Sequence, residues 1–315
     1  MINDRRKPEA SSLRLLFHEQ WSYFLHLVDE WKQHRHLKHD KSDEVGAAVE
    51  QVVSGTDARL RSVGSYKKQL RESVHAVLEY VDRLVDALPS SVTVSQASFF
   101  SNPLVNSLFV NTKDLKQIFC NTRELQVFFA DDANRDLSEA YALLFVRKAE
   151  KTVLGKDLRG DLVLGDVMQT TVSFFDHQVL SPSANESLAR QSLKEMLFRS
   201  LVQYVRIHLI RASFQQMQDN QHHEPLDPIH NLRNPVIYLQ ELQRLLCSPM
   251  ELLKQQESML RVNRMGICLP DQEDCAANEL HLNEISIGNQ QPRILLMIKY
   301  PRDEFMSWDD TLSSP

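Results

Sequence analysis

The stretch Asp57–Leu88 constrains the chain most. With Leu60 at heptad position a, the a positions are Leu60, Lys67, Val74, Val81 and Leu88, and the d positions are Val63, Leu70, Val77 and Leu84. Only Lys67 breaks an apolar seam, which is a helical pattern. A continuous helix of this length would run about 45–50 Å and form a spine for other elements. The e positions include Leu78 and Val85, where a two-stranded zipper would carry charge, so the stripe suits a bundle. Gly64 would mark a close helix crossing, and Pro89 ends the run.

Upstream, residues 1–10 are polar and expected to be disordered. From Ser11 or Ser12 a helix is expected, with Leu13, Phe17, Trp21, Phe24, Val28 and Trp31 on one face. Phe17, Trp21, Phe24 and Trp31 are the candidate partner-binding residues; the plainer alternative is a core face against the spine. The helix ends in a basic, His-rich stretch. Lys32, Arg35 and Lys38, with Lys67, Lys68 and Arg71 on the spine, are the candidate nucleic-acid contacts. The net charge of −6 speaks against a wholly nucleic-acid-binding surface. A second helix is expected from about Asp43 to Val53.

Downstream, two short capped helices are expected at Lys113–Cys120 and Arg123–Ala130. A change of period then suggests antiparallel strands over Ala142–Val153 and Val167–Leu180, although the first could begin a helix. Ser187 to about Asp219 reads as another long helix. Asn234-Pro235 and Ser248-Pro249-Met250-Glu251 each start a helix. Leu260–Leu269, Leu280–Ile287 and Arg293–Tyr300 read as strands, and Ile294–Met297 suggests burial on both faces.

The loop His222-His223-Glu224-Pro225-Leu226-Asp227-Pro228-Ile229-His230 holds the densest set of metal-ligand types. His222, His223, Asp227 and His230 could supply a site, though the prolines exclude a regular ligand helix. Asp132–Asp136 starts like a calcium loop but has Leu137 and Leu143 where Gly and Glu belong. Asp176 and His177 are strand neighbours on opposite faces, so they cannot form a dyad. There is no phosphate-loop, dinucleotide or nucleophile-elbow pattern, and only 8 glycines. Four cysteines without a C-x-x-C pair fit a reducing compartment. With no apolar run of membrane-spanning length, a cytoplasmic protein is expected.

These readings give an α+β fold, predominantly α-helical: a long-helix bundle with a small antiparallel sheet, its helices over one face. The expected divisions are a disordered 1–10, a helical 11–90, a mixed helix and strand region 91–306, and a loose tail 307–315. The expected function is a non-enzymatic protein-interaction subunit, adaptor or structural, with a protein partner or a second copy and no cofactor. The alternatives are a metal-dependent enzyme built on 222–230 and a nucleic-acid-associated factor built on 32–71.

Overall fold

The computed structural model describes residues 44–159, 162–219, 232, 234–263, 266–269 and 277–305. Helix α1 spans Glu44–Gly55. A 3-10 turn follows at Ala58–Ser62, started by Asp57, which accepts a hydrogen bond from the Arg59 amide at 2.9 Å. Helix α2 starts only at Tyr66 and runs to Asp86. The expected spine is therefore broken. Val63 is extended, and the continuous helix has 21 residues, about 32 Å. Leu70, Val74, Val77, Val81 and Leu84 are buried as the heptad requires. Leu60 is buried too, but from the 3-10 turn, so the pattern survives where the helix does not. Gly64 marks no crossing: a Cβ there would meet nothing.

After β1 (Val92–Thr93), four short helices follow: α3 (Gln96–Ser101), α4 (Pro103–Leu108), α5 (Thr112–Cys120) and α6 (Arg123–Ala130). The long strands β2 (Glu139–Arg159) and β3 (Leu162–Ser183) come next. Helix α7, Glu186–Asp219, is the longest described, at 34 residues. Its Ala189, Leu193, Leu197, Leu201, Val205 and Leu209 recur every four residues and are buried. Helix α8 (Pro235–Leu246) has Pro at its first position and Asn234 as its cap. The short α9 (Pro249–Leu252) leads into β4 (Leu253–Val262), and β5 (Asn278–Ile287) and β6 (Arg293–Pro301) complete the sheet.

The long-helix bundle with a small sheet is overturned. The chain is built on a strongly curled, six-stranded half-barrel. Its order is β3-β2-β6-β5-β4, with β1 parallel to β6 and the other pairs antiparallel. The strand β4 begins at Leu253, seven residues before the expected Leu260. Helices cover both faces rather than one, and strand parity shows why. Leu143 and Phe145 of β2, Leu295 and Met297 of β6, and Ile285 and Ile287 of β5 face one core with α1, α2, α7 and α8. Ala142, Leu144 and Val146, Ile294, Leu296 and Ile298, and Leu280 and Leu282 face a second core with α4, α5 and α6. Apolar residues at both parities need a covering layer on each side. Helices α1 and α2 share the first core with residues from β2, β5 and β6.

The curl comes from β3. Three register shifts interrupt the β2–β3 ladder, and each places two β3 residues opposite one of β2: Ser181 and Pro182 opposite Ala142, Asp176 and His177 opposite Val146, and Gly165 and Asp166 opposite Lys156. Each bulge holds a residue of positive φ: Ser181, Asp176 and Asp166. Bulges bend the strand that carries them and increase its twist. The β5–β6 turn is sharp at Gly288, φ +57, where a Cβ would run into the Tyr204 ring of α7.

Leu201→Ala should lower unfolding free energy by about 2–5 kcal/mol, whereas Gly64→Ala should change it by no more than about 0.5 kcal/mol in chemical denaturation. Equal effects would contradict this placement of the core.

Candidate functional site

The ladder between β2 and β6 ends at Val146 opposite Ile294. Beyond it β3 is the one strand partner of β2 among the described residues, and the two run on as a ribbon to Arg159 and Leu162. Among the described residues, the outer edge of β3 is bridged to another backbone segment at one place. The Val172 amide donates to the Gly266 carbonyl, and the Cys268 amide donates to the Thr170 carbonyl, both at 2.8 Å. Past Thr170, no backbone ladder to another element is formed on either edge of the ribbon among the described residues. Leu154 and Met168 stand directly opposite each other there, 69% and 74% exposed. A free two-stranded ribbon is marginal in water, and an apolar cross-strand pair on one is costly to leave wet.

Two charged clusters fix the root of this arm, one on each face of the sheet. On one face, Lys148 Nζ lies 2.8 Å from Glu284 Oε1 and 3.2 Å from Glu150 Oε1, and the Ser258 hydroxyl donates to Glu284 Oε1 at 2.7 Å. Burial pulls the Lys148 ammonium down, but the hydrogen bond and charge of Glu284, with Glu150, outweigh it, and its pKa is raised. On the other face, Arg293 Nη2 lies 2.8 Å from Asp176 Oδ2, Arg147 donates to Gln291, and Arg147 lies over the Phe175 ring at 5.5 Å. These contacts tie β2, β3, β4, β5 and β6 together where the ribbon leaves the sheet. Removing one member of such a half-buried pair leaves a charge stranded, so the clusters anchor the arm.

The aromatic residues Phe17, Trp21, Phe24 and Trp31, the cations Lys32, Arg35 and Lys38, and the loop residues His222, His223, Asp227 and His230 lie outside the described residues. Among the described residues, no group of three His, Cys, Asp or Glu side chains is arranged to hold a metal ion. Of the remaining candidate cations, Lys67 lies 3.0 Å from Glu50 Oε1. That carboxylate also accepts from Tyr66 at 2.6 Å and from Arg61 at 3.3 Å. Lys68 and Arg71 are exposed on α2. Several cations of this stretch thus face acids of the same chain: Lys67 and Arg61 share Glu50, and Arg59 holds Asp57 at 2.6 Å.

His177 and Asp176 point apart. Asp176 turns to Arg293, while His177 Nε2 lies 2.7 Å from the Leu108 carbonyl and its ring stacks on Phe109. Burial pushes the His177 imidazole pKa down. Asp131 caps the 3-10 turn Asp132–Asn134 through the Ala133 amide, which accounts for part of the calcium-like run. Cys120 is buried with its sulfur 4.0 Å from the Tyr300 hydroxyl, and burial raises the Cys268 thiol. No helix among the described residues is long and apolar enough to cross a membrane.

The arm escaped sequence reading because the strands were expected to stop at Val153 and restart at Val167, with Leu154–Asp166 as their connection, whereas β2 runs on to Arg159 and β3 begins at Leu162. The signal present was the step from apolar Leu143–Val146 to Arg147-Lys148, where β2 leaves the body.

The Tyr66 hydroxyl, followed by Lys67, holds the Glu50 carboxyl at about 2, against an ordinary 4.5. A depressed folded-state value contributes stability above pH 4.5 and loses it as pH falls toward about 2. Glu50→Gln should therefore lower the melting temperature at neutral pH, with the gap to wild type closing across that window. A gap that persists unchanged to the acid end would contradict the assignment.

No family model, no curated protein and no solved structure matches this chain.

Proposed function

We propose that this chain is a non-enzymatic protein-interaction subunit, adaptor or structural, and that the β2–β3 arm is a docking element. The observation that carries this reading is the ribbon itself: it continues past the last β6 pair and displays Leu154 and Met168. Its anchored root fits the same role. A projecting element gains from a stiff base, because ordering a floppy one on binding would weaken the complex. The aromatic stripe Phe17, Trp21, Phe24 and Trp31 is a second proposed docking face, supported by its helical spacing alone.

The test is co-purification of the 315-residue chain, tagged and expressed beside an untagged copy in its native host, against Leu154→Ser/Met168→Ser. The expected result is a protein held stoichiometrically by the wild type and released by the double variant at unchanged melting temperature. Retention of every such protein by the variant would remove the support for the arm.

A further inference from the structure

We infer that the occupant of the arm is a second copy of this chain, paired through the open edge of β2 about a two-fold axis; this rests on the reading of the arm as a docking element. The edge is well suited to such pairing. All three bulges fall on β3, so β2 itself stays regular from Arg147 to Arg159. Ala149, Glu150, Lys151, Thr152 and Leu154 are exposed along it. No backbone hydrogen bond from this segment to anything but β3 occurs among the described residues. The β3 edge is the poorer candidate, because Gly266–Cys268 already occupies it at Thr170–Val172.

Symmetry then restricts the register. Two identical strands side by side and antiparallel are related by a two-fold axis normal to the sheet. That axis keeps each side chain on its own face. Residues directly opposite one another must share a face. The axis therefore passes through a residue position and never between two.

Charge and strand overlap select among these positions: an axis at Arg147, Lys148, Glu150 or Asp157 sets a charge against itself, one at Ala149 sets Arg147 against Lys151, and one at Leu158 leaves only Asp157–Arg159 of β2 to pair. An axis at Lys151 or Lys156 sets a lysine against itself. At Thr152 it sets Lys148 against Lys156. At Val153 it sets Arg147 against Arg159, and at Gly155 it sets Lys151 against Arg159. The axis at Leu154 sets Lys151 opposite Asp157, twice by symmetry, and sets no like charges opposite each other between Ala149 and Arg159. It also sets Leu154 opposite its own copy, flanked on each side by Met168, its β3 partner. Four apolar residues then form one row across a four-stranded ribbon β3-β2-β2-β3. A β2 strand that pairs with itself in one register is a self-complementary surface, as a two-fold dimer requires.

The experiment is sedimentation of the 315-residue chain over a concentration series, with charge-swapped variants. Lys151→Asp and Asp157→Lys should each weaken the dimer about tenfold or more, and the double swap should restore it. In a Cys247→Ser background, Leu154→Cys should form an interchain disulfide on mild oxidation, because opposite Cα atoms would lie about 4.5–5.5 Å apart, within disulfide range. Thr152→Cys, opposite Lys156, should not. A monomer at every concentration would overturn the pairing, as would a dimer indifferent to both single swaps. If the chain is monomeric while Leu154→Ser/Met168→Ser still releases a different protein, the arm remains a docking element and only the copy-to-copy pairing falls.

Discussion

Strand β2 must satisfy two rows of backbone hydrogen-bonding groups over 21 residues, and much else in the fold follows from how it does so. β3 serves one row along almost the whole length. β6 serves the other only from Glu139 to Val146. The inner part is buried from both sides, with Leu143 and Phe145 in one core and Ala142, Leu144 and Val146 in the other. Those two faces explain the two helical layers. Without α4, α5 and α6, the face carrying Leu144 would be wet; without α2, α7 and α8, Phe145 would be. The outer part begins at Arg147 and Lys148, each turned to a polar partner on its own face.

The bulges on β3 connect this strand pair to the curl. An extra β3 residue at each of three points lets it travel farther than β2, so the pair bends. The bend brings Thr170–Val172 to Gly266–Cys268, the segment just past β4, and the half-barrel is stitched there. It also determines side-chain directions. At the middle bulge Asp176 is aimed at buried Arg293, while His177 is inserted between the Leu108 carbonyl and Phe109. The positive φ of Asp176 costs conformational energy, and the Arg293 contact helps to offset it.

Much of the local structure was legible in the sequence. The Asn234-Pro235 start, the two helices ending at Cys120 and Ala130, and the doubly buried Ile294–Met297 strand all appear as their residues imply. The break before α2 was not legible, because a 3-10 turn and a helix both place Leu60 inward. Nor was the start of β4: Lys254–Met259 includes two glutamines, a glutamate and a serine, and its polar character reflects the Glu284 cluster and solvent. Sheet size was hidden for another reason. Six strands become one sheet through pairings such as Ala142 with Ile298, far apart in sequence, which periodicity within a segment cannot reveal. The candidate site was missed on the same ground, since whether an edge is open depends on which strand fails to reach it.

On the proposed pairing β2 has two kinds of backbone: an inner part locked in the sheet on both edges, and an outer part whose edge away from β3 is completed by association. Hydrogen exchange along β2, followed by mass spectrometry at low and high protein concentration, tests this most directly. Amides of Ala140–Val146 should exchange slowly and identically at both concentrations, as expected for a core strand. Within Lys148–Leu158, the amides that point away from β3, those of Glu150, Thr152 and Leu154 among them, should exchange fast when dilute and gain protection as concentration rises. Protection of the outer amides that is independent of concentration, or inner amides as labile as the outer ones, would contradict it.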